Sequence, residues 1–188
     1  MTPSLTSLEA LIAALDACGV AYLVGGSVAS SFHGIPRATM DVDILAAINP
    51  SDAEPLSARL REDFVIFEDE MLECLRSGRP FNLIHRTDVM KFDIFTPQCP
   101  FHWSELERAQ IATVSFFGKA VRVRIASPED MLIAKLAWFR DGGESSQRQW
   151  SDVLGLMKGG LDGVYLTKWA VEMGVAALLE RAGREVHG

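Results

Sequence analysis

Between Leu23 and Ile44 the chain leaves a short apolar run, turns through Gly25-Gly26-Ser27, passes a brief helical pattern, and enters a second apolar run holding Asp41 and Asp43. Side chains on a strand alternate between faces, so Asp41 and Asp43 share one face and Val42 and Ile44 the other. Two carboxylates held side by side repel each other unless positive charge lies between them. A hard divalent cation meets that need, and magnesium favours carboxylates, waters and substrate phosphates. A glycine turn ahead of a helix is the complementary half, since its free N–H groups and the positive helix end suit an anion. A metal site beside a phosphate site predicts chemistry on a nucleoside triphosphate.

The rest of the chain builds a frame for this stretch. Thr6-Ser7-Leu8-Glu9 has capping-box spacing and predicts a helix with Leu8, Leu11, Ile12 and Leu15 on one face, ended by Gly19. Val20 to Val24 and Val42 to Ala46 read as strands, and Ser51 with Glu54 as the cap of a helix bearing Leu56 and Leu60. Phe64 to Phe67 reads as a short strand and Glu68 to Arg76 as a helical segment. Phe81 to His85 and Val89 to Phe95 follow as strands joined by Arg86-Thr87-Asp88, the second placing Lys91 and Asp93 on one face. Pro97 and Pro100 close this part, and Thr113 to Phe117 with Ala120 to Ile125 form a hairpin around Gly118-Lys119. From Ser127-Pro128-Glu129-Asp130 onward the pattern is helical, through Met131 to Phe139, then Trp150 to Met157, then one or two helices over Leu166 to Arg184. The expectation is an α+β chain: a mixed-sheet core over residues 1–126 and a helical region over 127–188 packed on it.

Composition narrows the partners. The formal net charge of −7 over 188 residues argues against broad binding to nucleic acid, and Arg122 with Arg124 make too small a basic patch to reverse this. Cys18, Cys74 and Cys99 have no metal-ligand spacing and read as reduced thiols. No apolar run is long enough to span a membrane and the first residues do not read as a leader, so a cytoplasmic protein is expected.

Val24-Gly25-Gly26-Ser27, residues 28–40, and Asp41-Val42-Asp43-Ile44 together resemble the signature of the DNA polymerase β-like nucleotidyltransferase superfamily, with Asp93 in Lys91-Phe92-Asp93-Ile94-Phe95 at the place of its third carboxylate. Ser127 to Lys135, followed by Arg148-Gln149-Trp150-Ser151-Asp152, is similar to the helical region of the AbiEii toxin group and related bacterial nucleotidyltransferase-like proteins. The resemblance implies a nucleotidyltransferase fold and transfer of a nucleoside monophosphate from a nucleoside triphosphate to a hydroxyl, releasing pyrophosphate. Asp41, Asp43 and Asp93 would hold two magnesium ions, and Asp93 would accept the acceptor's proton. Gly25, Gly26 and Ser27 would hold the β- and γ-phosphates, with Arg37 and Lys135 offsetting their charge. The acceptor stays open between a small molecule, a protein side chain and an RNA end. The alternative is a non-catalytic regulatory module of the same fold, with a partner protein in a toxin–antitoxin pair.

Simpler roles stand beside these. Lys91 reads as an ion-pair partner of Asp93, and Arg148 with Asp152 as a surface pair one helical turn apart. His33, His85 and His102 read as structural or surface groups, and Trp138, Trp150 and Trp169 as core.

Overall fold

The computed structural model describes residues 6–34 and 41–187; Arg37 lies outside them. Thr6 caps helix α1 (Ser7–Ala17) by accepting the Glu9 N–H at 3.2 Å, while the Glu9 carboxylate takes the Thr6 N–H at 2.7 Å. The apolar face that this cap launches, Leu8, Leu11 and Leu15, is fully buried. Strand β1 (Tyr22–Val24) then meets Gly25, and α2 (Gly26–His33) begins at once. Strand β2 (Asp41–Ala46) follows.

Helix α3 (Ala53–Leu60) is entered differently from the expectation. Asn49, not Ser51, forms the box: its N–H donates to the Asp52 carboxylate at 2.8 Å, ahead of a 3₁₀ turn at Pro50–Asp52. Next come β3 (Phe64–Val65), α4 (Glu68–Ser77), β4 (Phe81–His85) and β5 (Lys91–Phe95). Strand β5 starts later than Val89 because Val89 has a left-handed φ of 58° and belongs to the turn. Helix α5 (Pro100–Arg108) was not anticipated. Pro100 reads as a terminator in the sequence, yet it occupies the first turn of a helix, where a missing N–H costs nothing.

Strands β6 (Gln110–Phe116) and β7 (Lys119–Ile125) pair out to Phe116–Lys119, so the hairpin turns on Phe117 and Gly118. Both have positive φ, 48° and 74°, as a tight turn matched to strand twist requires. Helices α6 (Pro128–Asp141), α7 (Gln147–Leu156), α8 (Gly163–Glu172) and α9 (Ala176–His187) complete the chain. Among the described residues no helix is long and apolar enough to cross a membrane.

The strands form one seven-stranded sheet in the order β3-β4-β5-β2-β1-β7-β6. β2 with β5 and β1 with β7 are parallel, and the other neighbours are antiparallel. Along β2 and β5 the register sets Val42 beside Phe92 and Ile44 beside Ile94, all at most 1% exposed on the core side. The opposite face presents the acids and faces α6, whose Met131, Leu132, Ile133 and Leu136 are also buried. Two bonds fix α6 there: Ala126 N–H donates to the Val24 carbonyl at 3.0 Å, and His33 Nε2 bonds the Ala126 carbonyl at 2.8 Å. The architecture is α+β, a mixed sheet flanked by helices, as the sequence led us to expect.

Candidate active site

The parallel register of β2 and β5 puts Asp43 directly beside Asp93, with Asp41 two residues earlier on the same face. The Gly25-Gly26-Ser27 turn closes over this acid group. Gly25 N–H donates to the Asp43 carbonyl at 2.9 Å, and the Ser27 backbone N–H is hydrogen-bonded to the Asp43 carboxylate. Gly26 has φ of 54°, and a Cβ built on it would lie 1.6 Å from Asp43 Oδ2. No side chain fits, so glycine is required here both by conformation and by space. The carboxyl of Asp43 is raised to about 6, first by burial and then by Asp41 and Asp93, while Lys135 opposes the rise.

Asp93 has its own partner. Lys91 Nζ lies 2.8 Å from Asp93 Oδ2, as the shared strand face predicted. With Asp93 turned toward Lys91 and Asp43 toward the Ser27 amide, no three His, Cys, Asp or Glu side chains among the described residues close round a point as the ligands of one metal ion would.

Helix α6 supplies Lys135 from the other side. It is only 3% exposed, and its Nζ lies 2.8 Å from Asp152 Oδ2 on α7. Asp152 is itself 8% exposed, so the surface pair expected with Arg148 is replaced by a buried pair across two helices. Arg148 instead lines a cleft of about 370 Å³ with Ser27, Asp41, Asp43, Lys135 and Trp138. Trp150 and Trp169 are core, as expected, but Trp138 is not: it is 37% exposed and stands beside Phe95 with ring centroids 6.4 Å apart. The histidines hold structure, His85 against Asp88 at 2.8 Å and His102 Nδ1 accepting the Gln98 N–H at 2.9 Å. Two features escaped sequence reasoning. Gly26 is the seat of a carboxylate as well as part of a turn, for which its spacing gives no signal, and α5 brings a buried Glu105 to the same face of the sheet.

No family profile matches the sequence, and no curated protein matches it. Solved structures do. An antigenic nucleotidyltransferase-like protein from Paracoccidioides brasiliensis superposes with a TM-score of 0.56 at 20% identity, over 94% of this chain and 90% of that one. The antibiotic-resistance factor ANT(2'')-Ia in solution gives a TM-score of 0.52 at 16% identity, covering 95% of each chain. Its crystal structure in complex with adenylyl-2''-tobramycin gives 0.50 at 13% identity, over 89% of this chain and 94% of that one. A seven-stranded mixed sheet with its acids on β2 and β5 beside a glycine turn, superposing along nearly its whole length on these proteins, has the nucleotidyltransferase fold.

Proposed function

We propose that the protein is a magnesium-dependent nucleotidyltransferase that moves a nucleoside monophosphate from a nucleoside triphosphate to an acceptor hydroxyl. The observation that carries this reading is the seating of the Asp43 carboxylate on Gly26, with Asp41 and Asp93 on the same face. A plain turn would not need glycine at that contact, and a structural acid would not be buried beside two others. Three carboxylates on adjacent strands form a hard oxygen donor set, and the raised carboxyl of Asp43 marks the charge they leave uncompensated. Magnesium fits that set: Asp41, Asp43 and Asp93 would hold it, with Asp93 also paired with Lys91. When bound, the metal supplies charge neutralisation at the triphosphate and a lowered pKa for the acceptor hydroxyl.

The chain's own groups do the rest. In the Gly25-Gly26-Ser27 turn, the Gly26 N–H, the first turn of α2 and the Ser27 hydroxyl would hold the β- and γ-phosphates, while the Gly25 and Ser27 N–H groups are bonded to Asp43. The acceptor oxygen attacks the α-phosphorus, the bond to pyrophosphate breaks, and the acceptor proton passes to Asp93. Lys135 and Arg148 face the cleft and offset charge on the departing pyrophosphate, a role we also give Arg37. Residues 1–126 serve as the catalytic core and 127–188 as the helical region that supplies Lys135. The complex of ANT(2'')-Ia with adenylyl-2''-tobramycin supports nucleotide transfer on this fold. The AbiEii likeness of the helical region rests on Lys135 and Asp152, which pair.

One observation favours a second reading, a regulatory module without transfer: Lys91 holds Asp93 in its present position. Calorimetry with ATP, CTP, GTP and UTP in magnesium chloride, joined to a pyrophosphate-release assay, separates the two. The enzyme reading expects triphosphate binding that Asp41→Ala abolishes, and an Asp93→Ala protein that binds but releases no pyrophosphate. Absence of triphosphate binding, or binding indifferent to Asp41→Ala, refutes the enzyme reading and leaves the regulatory module.

A further inference from the structure

A second cavity, of about 300 Å³, opens on the same face of the sheet, a volume typical of small-molecule sites. It runs from Asp43 past Leu45 and Phe95, under Met131 and Trp138 of α6, to Glu105 of α5. Asp43, Phe95 and Trp138 also line the cleft that holds Asp41 and Lys135, so the two spaces adjoin at the acids. The cavity walls are mostly apolar, and that makes Glu105 the anomaly.

Glu105 is 6% exposed. Burial, and after it the like charge of Asp130, pushes its carboxyl well above the ordinary range, with no donor among the described residues to offset either. The other polar groups of the cavity wall are already engaged. Arg140 Nε pairs with Asp141 at 2.8 Å and its guanidinium also donates to the Met173 carbonyl. The ring of His102 is held by the Gln98 N–H, and burial lowers its tendency to carry a proton. A buried carboxyl without a partner costs stability, and folds keep such groups where a ligand completes them.

We propose that this cavity is the acceptor pocket and Glu105 its recognition group, taking a compact, largely apolar molecule that carries one basic amine besides the hydroxyl that reacts. The proposal rests on the nucleotidyltransferase reading above and names its acceptor class. Three physical points select that class. The buried Glu105 carboxyl holds its proton more tightly than a free carboxyl until a cation arrives, and Arg140 is neutralised by Asp141, so an ammonium is favoured as the partner that ionises Glu105 and an anion finds no counter-charge. Apolar walls and one unpartnered carboxyl suit one ammonium; a second would be desolvated without a partner, which disfavours polycations. A nucleobase, neutral at pH 7, offers no charge to offset the burial cost of an ionised Glu105, whereas an ammonium does. An amine seated on Glu105 directs the rest of the molecule along the cavity toward the acids.

Ligand-observed NMR on the full chain tests this, with 2-amino-1-phenylethanol as the probe and 1-phenylethane-1,2-diol as its uncharged counterpart. The amine is expected to bind at least tenfold more tightly than the diol, and Glu105→Gln to reduce it to the level of the diol. Ala134→Leu, which narrows the cavity, is expected to weaken both probes, while both variants keep magnesium-dependent triphosphate binding. Equal binding of amine and diol, or a Glu105→Gln protein that retains the preference, overturns the assignment. Displacement of the amine by GTP or ATP with magnesium also overturns it, because the cavity would then hold the base. In the wild type, triphosphate binding without amine selectivity refutes the pocket alone, whereas amine selectivity without triphosphate binding refutes the nucleotidyltransferase reading.

Discussion

Asp43→Asn keeps the shape of the side chain and removes its ionisation, which makes it the sharpest probe of charge crowding at the acids. The carboxyl is raised from 3.8 to about 6 by burial first, and then by Asp41 and Asp93. A shift of that size corresponds to roughly 3 kcal/mol between the two protonation states. Between the unfolded and folded values the folded protein binds the extra proton, so stability falls as pH rises from about 4 through about 6 and stays low above. In metal-free buffer at pH 8 the Asn protein should therefore be more stable than wild type by about 1–3 kcal/mol, the lower figure applying if the amide oxygen accepts the Ser27 N–H less well. For a chain of this length that is a rise in Tm of roughly 3–9 °C. Near pH 4 the two proteins should melt together, because a protonated Asp and an Asn place the same charge on Gly26. Differential scanning fluorimetry and urea titration in EDTA across this range measure the gap. Added magnesium chloride should then raise the Tm of wild type and leave the Asn protein unchanged. A wild type as stable as Asp43→Asn at pH 8, or a gap of the same size at pH 4, refutes the reasoning.

Gly26→Ala adds a Cβ where Asp43 Oδ2 already lies, 1.6 Å away, at a φ of 54°. Left-handed strain and the displaced carboxylate together should cost about 2–4 kcal/mol in urea titration and abolish magnesium-dependent triphosphate binding, whereas Gly118→Ala, with nothing within 4 Å, should cost only about 1 kcal/mol. Lys135→Met removes the ammonium that pairs with the buried Asp152 and should cost about 3–5 kcal/mol, most of it recovered in Lys135→Met/Asp152→Leu, a coupling that a double-mutant cycle reads directly. Ser127→Ala removes the buried cap of α6, which accepts the Asp130 N–H at 3.2 Å, and should lower stability by about 1–2 kcal/mol in the same titration.

What was legible in the sequence was local. The Thr6–Glu9 box, the alternation in Asp41 to Ile44, the Lys91–Asp93 pair and the Ser127 cap are each set by neighbours within a few residues, so their spacing alone describes them. Helix α5 was missed because Pro97 and Pro100 punctuate the chain, and because the face of α5 that packs inward includes the acid Glu105 beside Phe101 and Leu106. The Lys135–Asp152 pair was also out of reach. Those residues lie on different helices, and only the angle between α6 and α7 decides that Asp152 turns inward to Lys135. Trp138 was read as core because helical spacing marks which face of α6 is apolar, but not where that face runs past the edge of the sheet into a cleft.

These non-local pairings decide what the site still requires. Lys91 is engaged by Asp93, and Lys135 is engaged by Asp152, so neither lysine is available as a dedicated counter-ion for Asp43. Asp43 forms no ion pair among the described residues, and the one donor fixed on its carboxylate is the Ser27 amide. A single neutral hydrogen bond cannot offset burial together with two neighbouring acids, which is why the carboxyl of Asp43 keeps its proton to about pH 6. The position with glycine beneath it and α6 tied across it by His33 and Ala126 is thus one whose charge the fold leaves unbalanced. A scaffold that only needed a stable strand end would place an uncharged residue there. Retaining an acid at that contact, at a standing cost in stability, is what the cation and phosphate ligand of the proposed function would offset.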